Sequence, residues 1–367
     1  LYLRSERFNR FLTIEIEKAL ESYGLRAEIG EVKPEFGSSA VTLRSLKLFN
    51  QQTGQLIATI DRARASITIR DLFALRLRRE IVFDRLDLDE VDLWVVFDEQ
   101  GKSNFQGLRR PPPLHRRITF DYSRLVGSLS KSAIHLIDRK LGIQGDLRDL
   151  AGKGRPIEGA DPPKLSLQLT SGQGSLVYNN HEMAIESVEF IGRVMESGAD
   201  IERLTLRSPV AEATVSGRLD DWRSLRYQLD MQARAKIEEV LALFAPKLSL
   251  KGAASFDGRI EGEGARWSAG GQAGSGELAV YGVTFRDAQI DRARLDSLNG
   301  RWTFSTGQAR ARSIAAEGVE LTTATASNVK GRSAKEQTRI TSDQATVASL
   351  KIGKAGRNEF NEITLRD

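Results

Sequence analysis

Apolar and polar residues alternate over most of the segment 41–105. Because successive side chains of a β-strand point to opposite faces, each alternating run predicts a strand with one apolar and one polar face. The alternation changes phase at residues 44–45, 61–62 and 89–90. Such slips predict β-bulges, which add a residue, bend the strand and increase its twist. The segment therefore indicates a curved antiparallel sheet.

Two stretches have helical spacing instead. Apolar residues recur every three or four positions over residues 5–23, and Gly24 stands at the C-terminal capping position. Residues 236–245 show the same spacing and end before Pro246. The chain is thus expected to contain a short N-terminal helix and a second short helix in its interior.

The remaining chain repeats a pattern of two alternating strands joined by a turn, at irregular spacing. The predicted fold class is mainly β: an elongated, curved antiparallel sheet that forms an open apolar groove, with two short helices. The expected organisation is an N-terminal helix (1–24), a first groove segment (25–107), a loop rich in Pro and Arg (108–117), repeated groove segments (118–260), and a Gly-rich connection followed by a further groove segment (261–367).

Charge and composition narrow the class of function. The 54 basic residues are interleaved with 49 acidic ones among 367 residues, which is typical of a mixed solvated surface and not of a nucleic-acid footprint. The absence of Cys favours an envelope location. The first four residues, Leu1 to Arg4, resemble the exit of a membrane helix, so an anchor preceding the chain and an arbitrary boundary are both open.

The sequence offers little catalytic chemistry. The three histidines, His115, His135 and His181, have no metal-ligand spacing. Asp87 and Asp89 share a strand face, where paired carboxylates suit Ca²⁺ binding or acid–base work, but a polar outer face accounts for them better. No catalytic residue, cofactor or metal site is predicted, and an enzyme is not expected.

The pattern resembles the AsmA-like and TamB-type envelope proteins of Gram-negative bacteria, which belong with the bridge-like lipid transfer proteins. The resemblance rests on four stretches: the first helix with residues 24–28, the strands 86–95 ending in 98–105, the segment 134–141, and the helix 237–244 leading into 250–252 and 258–262. It implies an inner-membrane-anchored periplasmic protein whose apolar groove carries phospholipid between the two membranes. An outer-membrane β-barrel protein is the candidate partner that the resemblance suggests. No nucleic acid is expected.

Eight apolar residues are predicted to line the groove: Ile67, Ile69, Leu93, Val95, Leu167, Leu169, Leu229 and Met231. Two other functions stay open at this point. One is a translocation and assembly factor, or scaffold, that offers sheet edges to outer-membrane client proteins by strand addition. The other is a β-sandwich adhesin, in which two apolar sheet faces cover each other.

Overall fold

The computed structural model describes residues 6–35, 39–70, 79–108, 118–121, 124–160, 164–178, 180–195, 197–222, 224–244, 250–264, 266–280, 282–298, 301–334, 337–352 and 358–366. These residues form 22 strands and two short helices, which confirms the mainly-β class. The chain divides into two compact units, Leu1–Glu196 (unit 1) and Ser197–Asp367 (unit 2).

Unit 1 begins with a helix that contacts the first strand. Its elements are α1 (Glu6–Glu21), β1 (Leu25–Glu35), β2 (Ala40–Asn50), β3 (Leu56–Arg70), β4 (Arg79–Phe97), β5 (Ile118–Asp121), β6 (Val126–Asp138), β7 (Ile143–Pro156), β8 (Lys164–Ser171), β9 (Gly174–Tyr178), β10 (His181–Ile185) and β11 (Ser187–Met195). The bounds of α1 confirm the predicted N-terminal helix.

Most neighbouring strands in unit 1 pair antiparallel, with two exceptions that both involve β4. β4 pairs in parallel with β5 over residues 79–82 and with β6 over residues 85–97. A parallel pair needs a crossover connection, because the chain must return to the end where the first strand began. The segment between Phe97 and Val126, which contains the predicted Pro- and Arg-rich loop, supplies it. Residues 109–117 of that loop lie outside the described residues.

The predicted phase slips are present. They differ from an ordinary β-bulge, because one residue leaves the ladder on both neighbouring strands and not on one strand alone. Ser45 and Glu90 have left-handed backbone, with φ of 52° and 54°. The ladder skips from Arg44↔Arg62 to Leu46↔Ile60, so that Ser45 and Asp61 slip together. Because neighbouring strands slip at the same level, the register is kept and one face stays apolar on both sides of the slip.

The strands of unit 2 pair antiparallel with their neighbours. Its elements are β12 (Ala199–Arg207), β13 (Ala211–Asp221), β14 (Arg226–Lys236), α2 (Ile237–Phe244), β15 (Leu250–Glu263), β16 (Arg266–Val280), β17 (Val283–Leu298), β18 (Arg301–Ala316), β19 (Val319–Ala334), β20 (Gln337–Thr341), β21 (Gln344–Ile352) and β22 (Asn358–Arg366). The helix α2 confirms the second helix, which joins β14 to β15.

Most glycines of the predicted Gly-rich connection after residue 261 lie inside β15 and β16, and Gly264 lies in the turn between these strands. Gly258 pairs with Gly271, and a Cβ placed on Gly258 would lie 2.7 Å from Gly271 Cα. A Cβ on Gly270, which points to the opposite face, would have 3.8 Å to its nearest neighbour. Crowding on one face and space on the other indicate a sheet bent toward the crowded face, which glycine permits.

Candidate functional site

The strand register of unit 1 arranges apolar side chains in rows across the sheet. One row passes through six strands, as Ala27, Leu48, Ala58, Leu93, Ile134 and Leu147. A second row lies on the other side of the phase slip, as Val32, Leu43, Ala63, Leu88 and Leu129. Rows in register make a continuous apolar face out of strands that are each only half apolar.

The same construction recurs in unit 2. One row consists of Leu229, Ile260, Ala269, Leu295 and Phe304. Another consists of Ala233, Phe256, Ala273, Ile290, Ala309, Ala326 and Ala345. Gly258 and Gly271 lie between these rows on the same face, so the sheet of unit 2 bends toward its apolar side. The apolar face is therefore the inner surface of that bend.

The structure places six of the eight predicted groove residues on these apolar faces. Leu93 and Val95 are two positions apart and lie on the same face of β4. Leu169 continues the second row of unit 1, because Gly152 pairs with Leu129 on one side and with Leu169 on the other. Leu167 occupies the same face of β8, two residues earlier. Leu229 and Met231 share the apolar face of β14. The side chains of the other two predicted residues, Ile67 and Ile69, lie outside the described residues.

These apolar side chains are half-buried and not packed into a closed interior. All six described members of the predicted set keep part of their surface in water. The apolar face around these residues is therefore only partly covered by protein in the described part of the chain.

The opposite face of unit 1 carries the carboxylates that the sequence singled out. Asp89 accepts a hydrogen bond from Ser130 Oγ at 2.7 Å and pairs with Arg62 at 2.8 Å. The Ser130 hydrogen bond is the main reason that the pKa of Asp89 is lowered. Asp87 is more buried, which acts to raise its pKa, yet hydrogen bonds from Ser128 and Arg85 lower it. Carboxylates held ionised by separate partners suit a structural ladder better than acid–base catalysis.

His135 also lies on this polar face. Its Nδ1 is 2.5 Å from Asp146 Oδ1, its Nε2 is 3.8 Å from Asp92 Oδ1, and its ring stacks on Trp94 with centroids 5.2 Å apart. Within the described part of the chain, no three His, Asp or Glu side chains are grouped to hold a metal ion. The described His135 contacts therefore join strands β4, β6 and β7.

A depression of about 620 Å³ opens on unit 2, lined mainly by side chains of its polar face. Exposed charged and amide side chains such as Gln232, Asp257 and Arg310 line it. Asp257 accepts a hydrogen bond from Gln232 at 3.3 Å. A lining of this kind favours water over an apolar ligand.

Two buried asparagines that the sequence reasoning missed fasten the crossover to one end of the unit 1 sheet. Asn104 donates to Trp94 O at 2.8 Å and Leu56 O at 3.1 Å, and its Oδ1 accepts from Val96 N at 3.0 Å. Asn50 donates to the carbonyls of Asn104 and Gln106 at 2.9 and 2.7 Å. Both side chains are fully buried, at 0% exposure. An Asn at the end of a strand and another after a tight turn were the only signals available.

Comparison with known proteins assigns no family, so the class of protein is inferred from the fold alone. No protein-family model, curated protein or solved structure matches the chain. Among the described residues, neither helix has the length and apolar character that a membrane span requires. The fold and the site define a protein of open, mainly antiparallel sheets with one apolar face.

Proposed function

We propose that this protein carries phospholipid along its apolar sheet faces, as a periplasmic segment of an inner-membrane-anchored protein in a Gram-negative envelope. The observation that carries the proposal is the half-buried state of the apolar rows of unit 2. A soluble protein normally covers apolar surface of this extent, and a large uncovered patch marks a binding surface. The resemblance to AsmA-like and TamB-type proteins supplies the location and the membrane partners.

Acyl chains are ligands that match such a face in chemistry and in scale. Transferring a methylene group out of water is worth about 0.8 kcal/mol, so a chain of roughly sixteen carbons in water faces a cost on the order of 10 kcal/mol. Rows of Leu, Ile, Ala and Phe that continue from strand to strand offer an apolar environment at every step. A carrier of this kind needs no catalytic group.

Site-specific photo-crosslinking in cells tests the proposal. Benzoylphenylalanine at Leu229 or Leu93 is expected to form adducts with phospholipid that mass spectrometry identifies. The matched control is Gln228, which neighbours Leu229 but is exposed on the polar face of β14. Adducts with protein alone at both apolar positions would contradict lipid carriage.

The alternative, assembly of outer-membrane β-barrel proteins by strand addition, predicts a different result in the same cells. Protein adducts at the apolar positions, together with loss of outer-membrane proteins at normal lipid flux after depletion, would favour it. The half-buried apolar rows favour the lipid proposal, because strand addition uses the backbone of an edge strand and does not require an uncovered apolar face.

A further inference from the structure

Two hairpin turns of the chain have the same length and the same backbone conformation at their last residue. Four residues, 139–142, separate β6 from β7, and four residues, 222–225, separate β13 from β14. The last residue of each turn lies in the left-handed region, with φ of 69° at Gly142 and 50° at Leu225. We call them the β6–β7 turn and the β13–β14 turn.

Hydrogen bonds at its base hold the β13–β14 turn in place. The backbone N–H of Trp222 donates to Ser197 O at 2.9 Å, and the first residue of the β6–β7 turn donates to a neighbouring carbonyl in the same way. Ser224 Oγ donates to Asp221 Oδ2 at 3.1 Å. The two turns thus share their construction, and the β13–β14 turn presents its residues from a fixed base.

The turns differ in the residues that occupy the first and last positions. Gly142 adopts left-handed backbone without steric cost, whereas Leu225 brings its Cβ against the following carbonyl. Leu225 is also 53% exposed, and Trp222 is 43% exposed at the position that Arg139 holds in the β6–β7 turn. Because glycine serves at the equivalent position, the backbone does not require leucine here. A strained residue with an exposed apolar side chain indicates a functional constraint.

The size and chemistry of this tip suit the surface of a lipid bilayer. The Cα atoms of Trp222 and Leu225 lie within about 11 Å of each other, because consecutive Cα atoms are 3.8 Å apart. Two partly exposed side chains offer far less than the roughly 800 Å² that each partner buries in a standard protein interface. Trp is enriched where headgroups meet acyl chains, and a Leu side chain gains free energy on leaving water.

The charges around the tip allow the same contact. The segment 218–226 contains three Arg and two Asp. Arg218 and Arg226 are both exposed. A weakly cationic surround is compatible with anionic lipid, whose surface potential attracts basic residues.

We propose that the β13–β14 turn is a membrane-contact tip, in which Trp222 and Leu225 insert into the headgroup region of a phospholipid bilayer. The hydrogen bonds to Ser197 and Asp221 keep the tip in shape for this contact. The inference goes beyond the proposed function, because it concerns contact with a bilayer surface and not the carriage of single lipids on the apolar rows.

Vesicle flotation and fluorescence quenching with the purified full chain test the proposal. The vesicles contain phosphatidylcholine and phosphatidylglycerol, and one set has brominated acyl chains. The unmodified chain is expected to float with the vesicles and to lose Trp fluorescence on the brominated set. In Trp222→Phe most of this quenching is expected to disappear although three of the four tryptophans remain, because bromine quenches a ring only at close range.

A double variant measures how much the tip contributes to binding. Trp222→Gln/Leu225→Gly keeps the net charge and gives the last position the residue type of the β6–β7 turn. Its partition coefficient for vesicles is expected to fall about ten-fold, the effect of withdrawing two partly inserted apolar side chains. The matched control is Leu141→Asn in the β6–β7 turn, where Leu141 is 56% exposed, and it is expected to bind vesicles like the unmodified chain.

The single variant Leu225→Gly separates this role from a structural one. Its melting temperature is expected to equal or exceed that of the unmodified chain, because glycine removes the strain. A lower melting temperature would give Leu225 a structural role and overturn the proposal. No vesicle binding by the unmodified chain, undiminished binding by the double variant, or an equal loss in Leu141→Asn would overturn it as well. Lipid carriage would still stand in each case, since these variants leave the row of Leu229 unchanged.

Discussion

The two units bury their apolar side chains to different extents, although both consist of one-faced sheets. In the described residues, unit 1 buries ten apolar residues, Val32, Ala40, Leu46, Ile57, Ala58, Ile60, Ala63, Val82, Leu150 and Ile185, whereas unit 2 buries Ala199 and Ala311. Leu46, Ile60 and Ala63 form a buried cluster with neighbours from β1, β2 and β4. Unit 1 thus has a small core, and unit 2 leaves its apolar face half open.

The difference shows two ways of holding a sheet together. Unit 1 is stabilised by buried apolar side chains and by the hydrogen bonds that Asn50 and Asn104 make between the crossover and the sheet. In unit 2, long antiparallel ladders and the close approach at Gly258 and Gly271 replace most of that burial. Backbone pairing can therefore define a sheet while its apolar face remains available to a ligand.

The largest effect is expected from Asn104→Ala. The change leaves the buried groups Leu56 O, Trp94 O and Val96 N without their side-chain partner. At 1–3 kcal/mol for each unsatisfied group, the free energy of unfolding of unit 1 should fall by about 4 kcal/mol. Hydrogen exchange read by mass spectrometry should show faster exchange across β2–β4 and unchanged exchange in unit 2.

The matched control for this change is Gln106→Ala. Only the backbone carbonyl of Gln106 accepts from Asn50, and its side chain is exposed, so the variant should exchange like the unmodified chain. Equal acceleration of both units in Asn104→Ala would contradict the separate stabilisation of unit 1.

A pair of truncations compares the two apolar faces directly. Leu46→Ala removes a side chain that is 6% exposed and should cost about 3 kcal/mol of unfolding free energy. Leu229→Ala removes a half-buried side chain and should cost about 1 kcal/mol. Denaturant unfolding of each variant measures both. Equal costs would mean that the faces are equally buried in solution.

Neighbouring glycines test the bend in unit 2. Gly271→Ala places a methyl group 2.6 Å from Gly258 Cα and should lower the unfolding free energy by about 2 kcal/mol, as overpacking does. Gly270→Ala has open space and should change it by less than about 1 kcal/mol, because the unfolded chain loses freedom as well. Thermal unfolding followed by circular dichroism distinguishes them, and two equal shifts would argue against the bend.

The smallest effect is expected from pH. The folded-state pKa of Asp89 lies below its ordinary value because Ser130 donates to it, and that of Asp230 does so because Arg259 donates to it. A lowered carboxylate pKa contributes stability above the unfolded value, and this contribution is lost as pH falls below about 4. Asp89→Asn should reduce the loss of unfolding free energy of unit 1 between pH 5 and pH 3. Asp230→Asn should do the same for unit 2, as measured by denaturant unfolding at each pH. A steeper loss in either variant would contradict the assignment.

Period-two alternation predicted most of the strands, because a strand with one buried face must place apolar residues at every second position. The slips at Ser45 and Glu90 were predictable from the change of phase. The parallel pairing of β4 with β6 was not, since alternation looks the same in either strand direction. The role of Asn50 was hidden for a similar reason: its partners on the crossover are more than fifty positions away in sequence.

The groove-lining role of the eight residues stays a prediction, because the sequence pattern gives the face of a side chain but not what covers that face. Periodicity sufficed to put Leu93, Leu169 and Leu229 on apolar faces, because facing follows from local geometry. Whether such a face is covered depends on which strands become neighbours and on how the sheet bends, and periodicity contains neither. Gly271, predicted to belong to a Gly-rich connection, instead lies inside β16, where its close pairing with Gly258 leaves no room for a side chain.

The amino-acid order alone thus determined most strand positions outside β16, the two helices and which residues of a strand share its apolar face. The tertiary structure decided the crossover, the buried asparagine pair and the bend of unit 2. Local steric preference acts between adjacent residues and can be read from the chain, whereas burial and side-by-side placement depend on contacts between distant segments.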